Sequence, residues 1–432
     1  MQALVVLVLV LVACGDHAKP ADLAQPVPTS PAAPVAPDAA ALAVAAPDAP
    51  APPPPAKEPG YDFIDDVQLL YRVVACGHLD TPIPDVLAHG DAARAAKLQT
   101  IVDHHCHELA PFMDKFRHEY FETARAWFVA HEPADLPTTV VYAFGGGDLV
   151  SALVAFPDAT EITTLSLELA GDPRKLPALA PTELDQNLAT FRRDIGMLIW
   201  VGSNLSVNLS DEQRSAVAAQ LASHLLGLST GGYEPLAVRF FAIDDTGALH
   251  YYEKDEIDTA PTTGKSLSGS WKAPAFAQAF QNVEVKYRKI GETQVRVHRH
   301  IAWNLSNAAL EKQPGVLAYL AAKGKVAVCV KGGSYLLWLD DFSTFRTYLV
   351  DHLAWMVADS TGIAPNFADA AGLVQDAYGH FDGPVLPNMV GQRGDVSSRK
   401  KWGKPKDKMP FRFGYLDTAG HSHVMITRPG PR

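Results

Sequence analysis

The sequence has no apolar run near the ~20 residues that a membrane-crossing helix needs, no excess of positive charge, and no tandem repeat. The first absence excludes an integral helical membrane protein. The second matters for partners: 37 Lys and Arg face 48 Asp and Glu, a formal net charge of −11. Nucleic-acid binding wants a basic face, so no nucleic-acid partner is expected. The basic cluster Arg399-Lys400-Lys401 with Lys404, Lys406 and Lys408 lies among Gly and Pro and reads as a solvated loop. Cysteine is scarce, four in 432 residues. Ser334 and Ser360 carry neither a G-x-S-x-G elbow nor an S-x-x-K motif around them, which argues against a serine hydrolase there.

The longest apolar run is Ala3 to Val12. Its length suits the h-region of a signal peptide, about 7–15 residues. Leu11-Val12-Ala13-Cys14-Gly15 follows directly and resembles the lipobox of bacterial lipoproteins. The resemblance implies a signal peptide over residues 1–13 and a diacylglycerol on Cys14. Two acyl chains would hold the protein to a membrane stably. The n-region departs from the pattern, since Met1-Gln2 carries no Lys or Arg. Gly15 follows Cys14, with Asp16 next; by resemblance to lipoprotein sorting in diderm bacteria, Gly there does not argue for inner-membrane retention, so a cell-envelope location at the outer membrane is expected. From Ala18 to Ala56 about two-thirds of residues are Ala or Pro, a composition that favours extended polyproline II and builds no core. Residues 14–57 are therefore expected to form a spacer, lipidated at Cys14 on that resemblance, that keeps the globular part off the bilayer.

The remaining chain is long for one hydrophobic core. Two lobes are expected: residues 58–232, helical and α/β, and residues 233–432, mixed and hairpin-containing. In an oxidising compartment Cys76 and Cys106 form the natural disulfide pair, with Cys329 buried in the strand-like Lys325–Val330. Asp91 to Ala130 reads as helix interrupted near Pro111, and Phe342 to Ala358 as one long amphipathic helix. Ser210 with Gln213 caps a further helix running to about Leu228. Asp244–Gly247 and Gly291-Glu292 read as turns of two hairpins. The fold class is α/β or α+β, with a central sheet around Thr138–Leu167.

The most informative segment is Val140-Val-Tyr-Ala-Phe-Gly-Gly-Gly-Asp-Leu149, a strand, a glycine turn and a helix start. Glu168 ends the next strand. The arrangement resembles the first β-α-β unit of Rossmann-like nucleotide and S-adenosylmethionine sites, where backbone amides approach phosphate and an acid binds ribose. On that reading Gly145, Gly146, Gly147, Asp148 and Glu168 are the candidate binding residues. Three features depart from it: the glycines are consecutive, the helix is about two turns, and Asp148 would face a phosphate. The alternative is a tight turn that needs positive φ. No cofactor is expected.

Histidines fall at His104-His105-Cys106-His107, at His298 and His300, and at His421 and His423. The last two pairs could share a metal if brought together, but no completing acid can be located, so no metal is expected. Cys76-Gly77, Val141–Leu149, Phe156–Ala159, Ser334–Leu337, Phe342-Ser343 and Asp359–Ile363 together resemble a family of bacterial lipoproteins and secreted proteins without an assigned activity. Three functions compete. One is an envelope module for a small molecule or a protein partner. Another is a hydrolase using Asp148, Glu168 or Asp359, and the third is a degenerate methyltransferase-like domain.

Overall fold

The computed structural model describes residues 58–77, 87, 89–196, 217–265, 272–359, 362–380, 406–414 and 422–431. The signal, Cys14 and the spacer lie outside these residues, as do Ser210, Ser360, Arg399 to Lys404 and His421. Residues 57–432 form one compact unit.

Its centre is a ten-stranded mixed sheet, so the α/β reading holds. The strands are β1 (Thr139–Ala143), β2 (Glu161–Ser166), β3 (Tyr233–Ile243), β4 (Leu249–Tyr251), β7 (Asn282–Lys289), β8 (Val295–Ala302), β9 (Val326–Val330), β10 (Leu353–Asp359), β11 (Leu373–Gly379) and β12 (His423–Pro429). A separate hairpin pairs β5 (Thr262–Lys265) with β6 (Lys272–Ala277). Across the large sheet the order is β11-β12-β10-β9-β1-β2-β8-β7-β3-β4. The five strands from β10 to β8 run parallel. Antiparallel strands flank them on both sides, and the two expected hairpins are β3–β4 and β7–β8. The expected division near residue 232 falls inside this one sheet, since β1 and β2 from the first half pair with β9 and β8 from the second.

The central parallel strands β1, β9 and β10 are largely apolar on both faces because both are covered. Val140, Tyr142, Cys329 and Val357 face the core beneath the N-terminal helices, among them Ile64–Val73, Leu149–Ala155 and Ala219–Thr230. Val141, Ala143, Val328 and Met356 face a second core that contains Leu310, Leu320, Leu349 and Ala368. These last four side chains come from helices Asn307–Lys312, Gly315–Ala321, Ser343–His352 and Pro365–Ala370. Helix Ile64–Val73 shows why its face is fixed: Val67, Leu70, Tyr71 and Val74 recur at helical spacing and are fully buried.

Two local readings change. Pro111 does not interrupt its helix, which runs Ala92–Phe116; the irregularity is a π-helical stretch at Arg117–Glu122 before helix Thr123–Val129. The expected long helix from Phe342 stops at His352, and Leu353–Asp359 is β10. A short continuous apolar run fits a buried strand as well as a helix, and pairing to β9 decides it.

Cys76 and Cys106 are disulfide-bonded. The bridge ties the end of helix Ile64–Val73 to helix Ala92–Phe116, and closing that loop contributes roughly 3–4 kcal/mol in the chain-entropy model. His105 lies against the bridge. One ring nitrogen meets the Val74 carbonyl at 3.0 Å and the other the Arg192 guanidinium at 3.0 Å. With both thiols and both nitrogens engaged, this cluster has nothing to offer a metal.

Candidate functional site

Strand order creates one crevice. From β1 the chain passes through helix Leu149–Ala155 to β2 on one side, and after β8 it returns to β9 on the other side of β1. Loops leaving the carboxyl ends of β1 and β9 therefore diverge, the place where open α/β sheets bind ligands. The glycine turn, Gly145 to Asp148, leaves β1 there, and Lys331 to Ser334 leaves β9.

The turn is built by close packing. Gly146 has φ +53° and Phe144 φ +64°. A Cβ on Gly145 would lie 2.3 Å from the Tyr142 ring, and one on Gly147 would lie 2.7 Å from Ser223 Cβ. The glycines are required by protein neighbours, which supports the tight-turn alternative over a phosphate cradle. Gly146→Val is expected to cost about 1–3 kcal/mol in urea denaturation, because a β-branched residue resists positive φ. An unchanged midpoint would show that the turn relaxes.

Asp148 caps helix Leu149–Ala155, accepting from the Ser151 amide at 3.2 Å. Its other oxygen accepts from Ser151 Oγ at 2.8 Å, from the Tyr142 hydroxyl at 3.1 Å, and from Lys331 Nζ at 2.5 Å. Lys331 Nζ also lies 5.4 Å from the Phe413 ring centroid and 5.7 Å from that of Tyr120. Burial opposes the Lys331 charge, yet the Asp148 carboxylate beside it leaves its pKa above the ordinary value. Burial pushes the Tyr120 hydroxyl up to about 12 and Tyr142 well above its usual range. These groups hold their protons and charges at neutral pH. Asp148 is a cap and a counter-ion, with both oxygens in use.

Glu168 lies beyond the end of β2, buried, and burial raises its carboxyl pKa. Histidines link it to the glycine turn. His300 meets the Glu168 carbonyl at 2.7 Å, and His224 meets the Gly146 carbonyl at 3.5 Å. Rings of His224 and His300 are 5.0 Å apart, and those of His224 and His298 are 4.5 Å apart. His298 and His300 are fully buried rather than exposed, and His423 lies on β12, away from β8 in the sheet. The pairing of His298 and His300 with His423 is therefore not made.

Asp359, fully buried, accepts from the Gly332 amide at 2.9 Å, and the Ser334 hydroxyl donates to the Asp359 carbonyl at 3.1 Å. Ser334 thus serves as a loop anchor. Sequence reasoning missed Lys331 as the partner of Asp148, and missed His224, Gln220 and Ser223 altogether. No pattern within a few residues announces a contact across 183 positions.

No family model, curated protein or solved structure matches this chain.

Proposed function

We propose that this chain is a lipid-anchored cell-envelope protein whose globular unit is a binding module with its site at the crevice between β1 and β9. The observation that carries the reading is Phe144. It is a bulky residue at φ +64° exactly where the strand order reverses, a conformation that costs of order 1–3 kcal/mol and is retained where something fixes it. Its half-buried ring packs edge-on to Phe342, with centroids 5.9 Å apart, and Trp338 packs against the same core. Gly333, whose added Cβ would lie 2.5 Å from Phe144, lets the two loops meet. The Phe144 and Phe342 rings would offer an apolar wall to a small ligand with an aromatic or aliphatic face. The hydrolase alternative loses support because Asp148 is consumed by its partners and Glu168 is buried.

The test is a ligand screen by thermal shift on the whole protein, since a ligand that binds the native state raises stability by mass action. Hits are expected to shift the wild type and to fail in Phe144→Ala and Trp338→Ala. Hits retained in both variants would place the site elsewhere. The anchor is tested separately: labelled palmitate is expected in the wild type and absent from Cys14→Ser. Equal labelling of the two would remove the tether.

A further inference from the structure

The histidines beneath helix Ala219–Thr230 form a chain whose hydrogens can be placed. His300 meets a carbonyl, that of Glu168, through Nε2, so Nε2 carries the proton and Nδ1 is an acceptor. The Thr164 hydroxyl, 3.0 Å from that Nδ1, must then donate to it. Thr164 Oγ1 is left to accept, and His298 Nε2, 2.9 Å away, donates. The Nδ1 of His298 is therefore a bare lone pair. Independently, His224 points Nε2 at the Gly146 carbonyl, and its Nδ1 is bare by the same argument. Neither Nδ1 has a hydrogen-bond partner among the described residues. Both rings are fully buried, with centroids 4.5 Å apart.

Two further unpartnered groups stand on the same helix. Among the described residues, Gln220, one turn before His224, has neither amide atom paired, and the Ser223 hydroxyl is likewise unpaired. Both are more than nine-tenths buried, and both approach the glycine turn at Gly147. Leaving one buried polar group unsatisfied costs about 1–3 kcal/mol. Two of the four sit on the touching rings of His224 and His298, and the other two stand on the helix that carries His224. The rings offer two imidazole nitrogens.

We propose that His224 and His298 bind a first-row transition-metal ion of the zinc or copper type through their Nδ1 atoms. Imidazole nitrogen selects these ions over magnesium and calcium, which take oxygen ligands. Metal-binding histidines usually donate their other N–H to a carbonyl or hydroxyl relay, as both do here. Complete burial suits an occupant of ionic size. Metal binding here is independent of the Phe144 ring, which packs against the second core while the helix carrying His224 packs in the first, so either reading can fail alone.

The experiment uses the full chain with its disulfide intact, stripped with chelator and desalted. Zn2+ and Cu2+ are added separately, with Mg2+ as control, and bound metal is measured after gel filtration. About one equivalent of Zn2+ or Cu2+ and a raised Tm are expected, with no effect of Mg2+. His224→Gln and His298→Gln are expected each to lower affinity at least about tenfold, while His105→Gln leaves it unchanged. X-ray absorption of the loaded wild type should report imidazole nitrogen ligands, a readout that holds even if a variant fails to fold. Absence of stoichiometric uptake by the wild type, a spectrum without imidazole, or full uptake by folded forms of both His variants would overturn the site.

Discussion

Lys331→Met is expected to lower stability by about 3 kcal/mol in urea denaturation, because removing one member of an enclosed ion pair strands the other. The Asp148 carboxylate would keep Ser151 and Tyr142 as neutral donors but lose the Lys331 ammonium. Each side chain of the pair retains about a fifth of its surface exposure, which places the expected loss at the lower end of the range for buried pairs. Asp148→Asn would be no milder despite preserving the cap, since it leaves an ammonium held between Tyr120 and Phe413 without a counter-charge. The double variant Asp148→Asn with Lys331→Met should recover most of the loss, as coupled neighbours do. A single-variant loss below about 0.5 kcal/mol would show that the pair behaves as a surface bridge.

Chelator-treated protein is expected to lose stability steeply as pH falls from 6.5 toward 4. Burial, aided at His105 by Arg192 and His104, lowers the imidazoles of His105 and His300 from an ordinary 6.5 to about 4. Burial and neighbouring imidazoles hold His224 well below its usual range, and His298 is likewise depressed by burial, His300 and Arg299. In that window the unfolded chain binds these protons and the folded chain does not, so stability falls with pH. It is complete above 6.5 and is lost on the way to the folded values. For His105 and His300 together the loss is on the order of 5 kcal/mol. Glu161 adds a later step: although burial opposes it, Lys323 and Arg299 hold its pKa below 4.5, so its contribution disappears only in stronger acid. A Tm unchanged between pH 7.5 and 4.5, in buffers of equal ionic strength, would show that solvent reaches these rings in the native state.

How much of this was legible beforehand depends on the range of the interaction. The disulfide, the two hairpins and the strand–turn–helix at Gly145 to Asp148 are local or nearly so, and residue type and spacing suffice to read them. Strand β10 was hidden because Leu353–Asp359 is apolar throughout, so its period is silent and only its neighbour β9 makes it a strand. Pro111 misled because a proline costs a helix one hydrogen bond, which the packing of Leu109, Met113 and Phe116 offsets. The polar centre under helix Ala219–Thr230 was unreadable for a different reason. His224, Gly146, Thr164 and His298 come from four separate elements, and an isolated buried histidine looks no different in sequence from a solvated one.

Strand β12 follows β11 in the sequence, yet it is not an edge. It lies between β10 and β11 and hydrogen-bonds to both. Among the described residues β11 reaches the sheet through β12 alone, so Leu373–Gly379 has no place there until His423–Pro429 has been laid down. Cleavage between the two would leave β10 as an open margin and detach two strands together, while the β1–β2–β8 half kept its neighbours. One seven-residue segment thus works as the keystone of a whole flank.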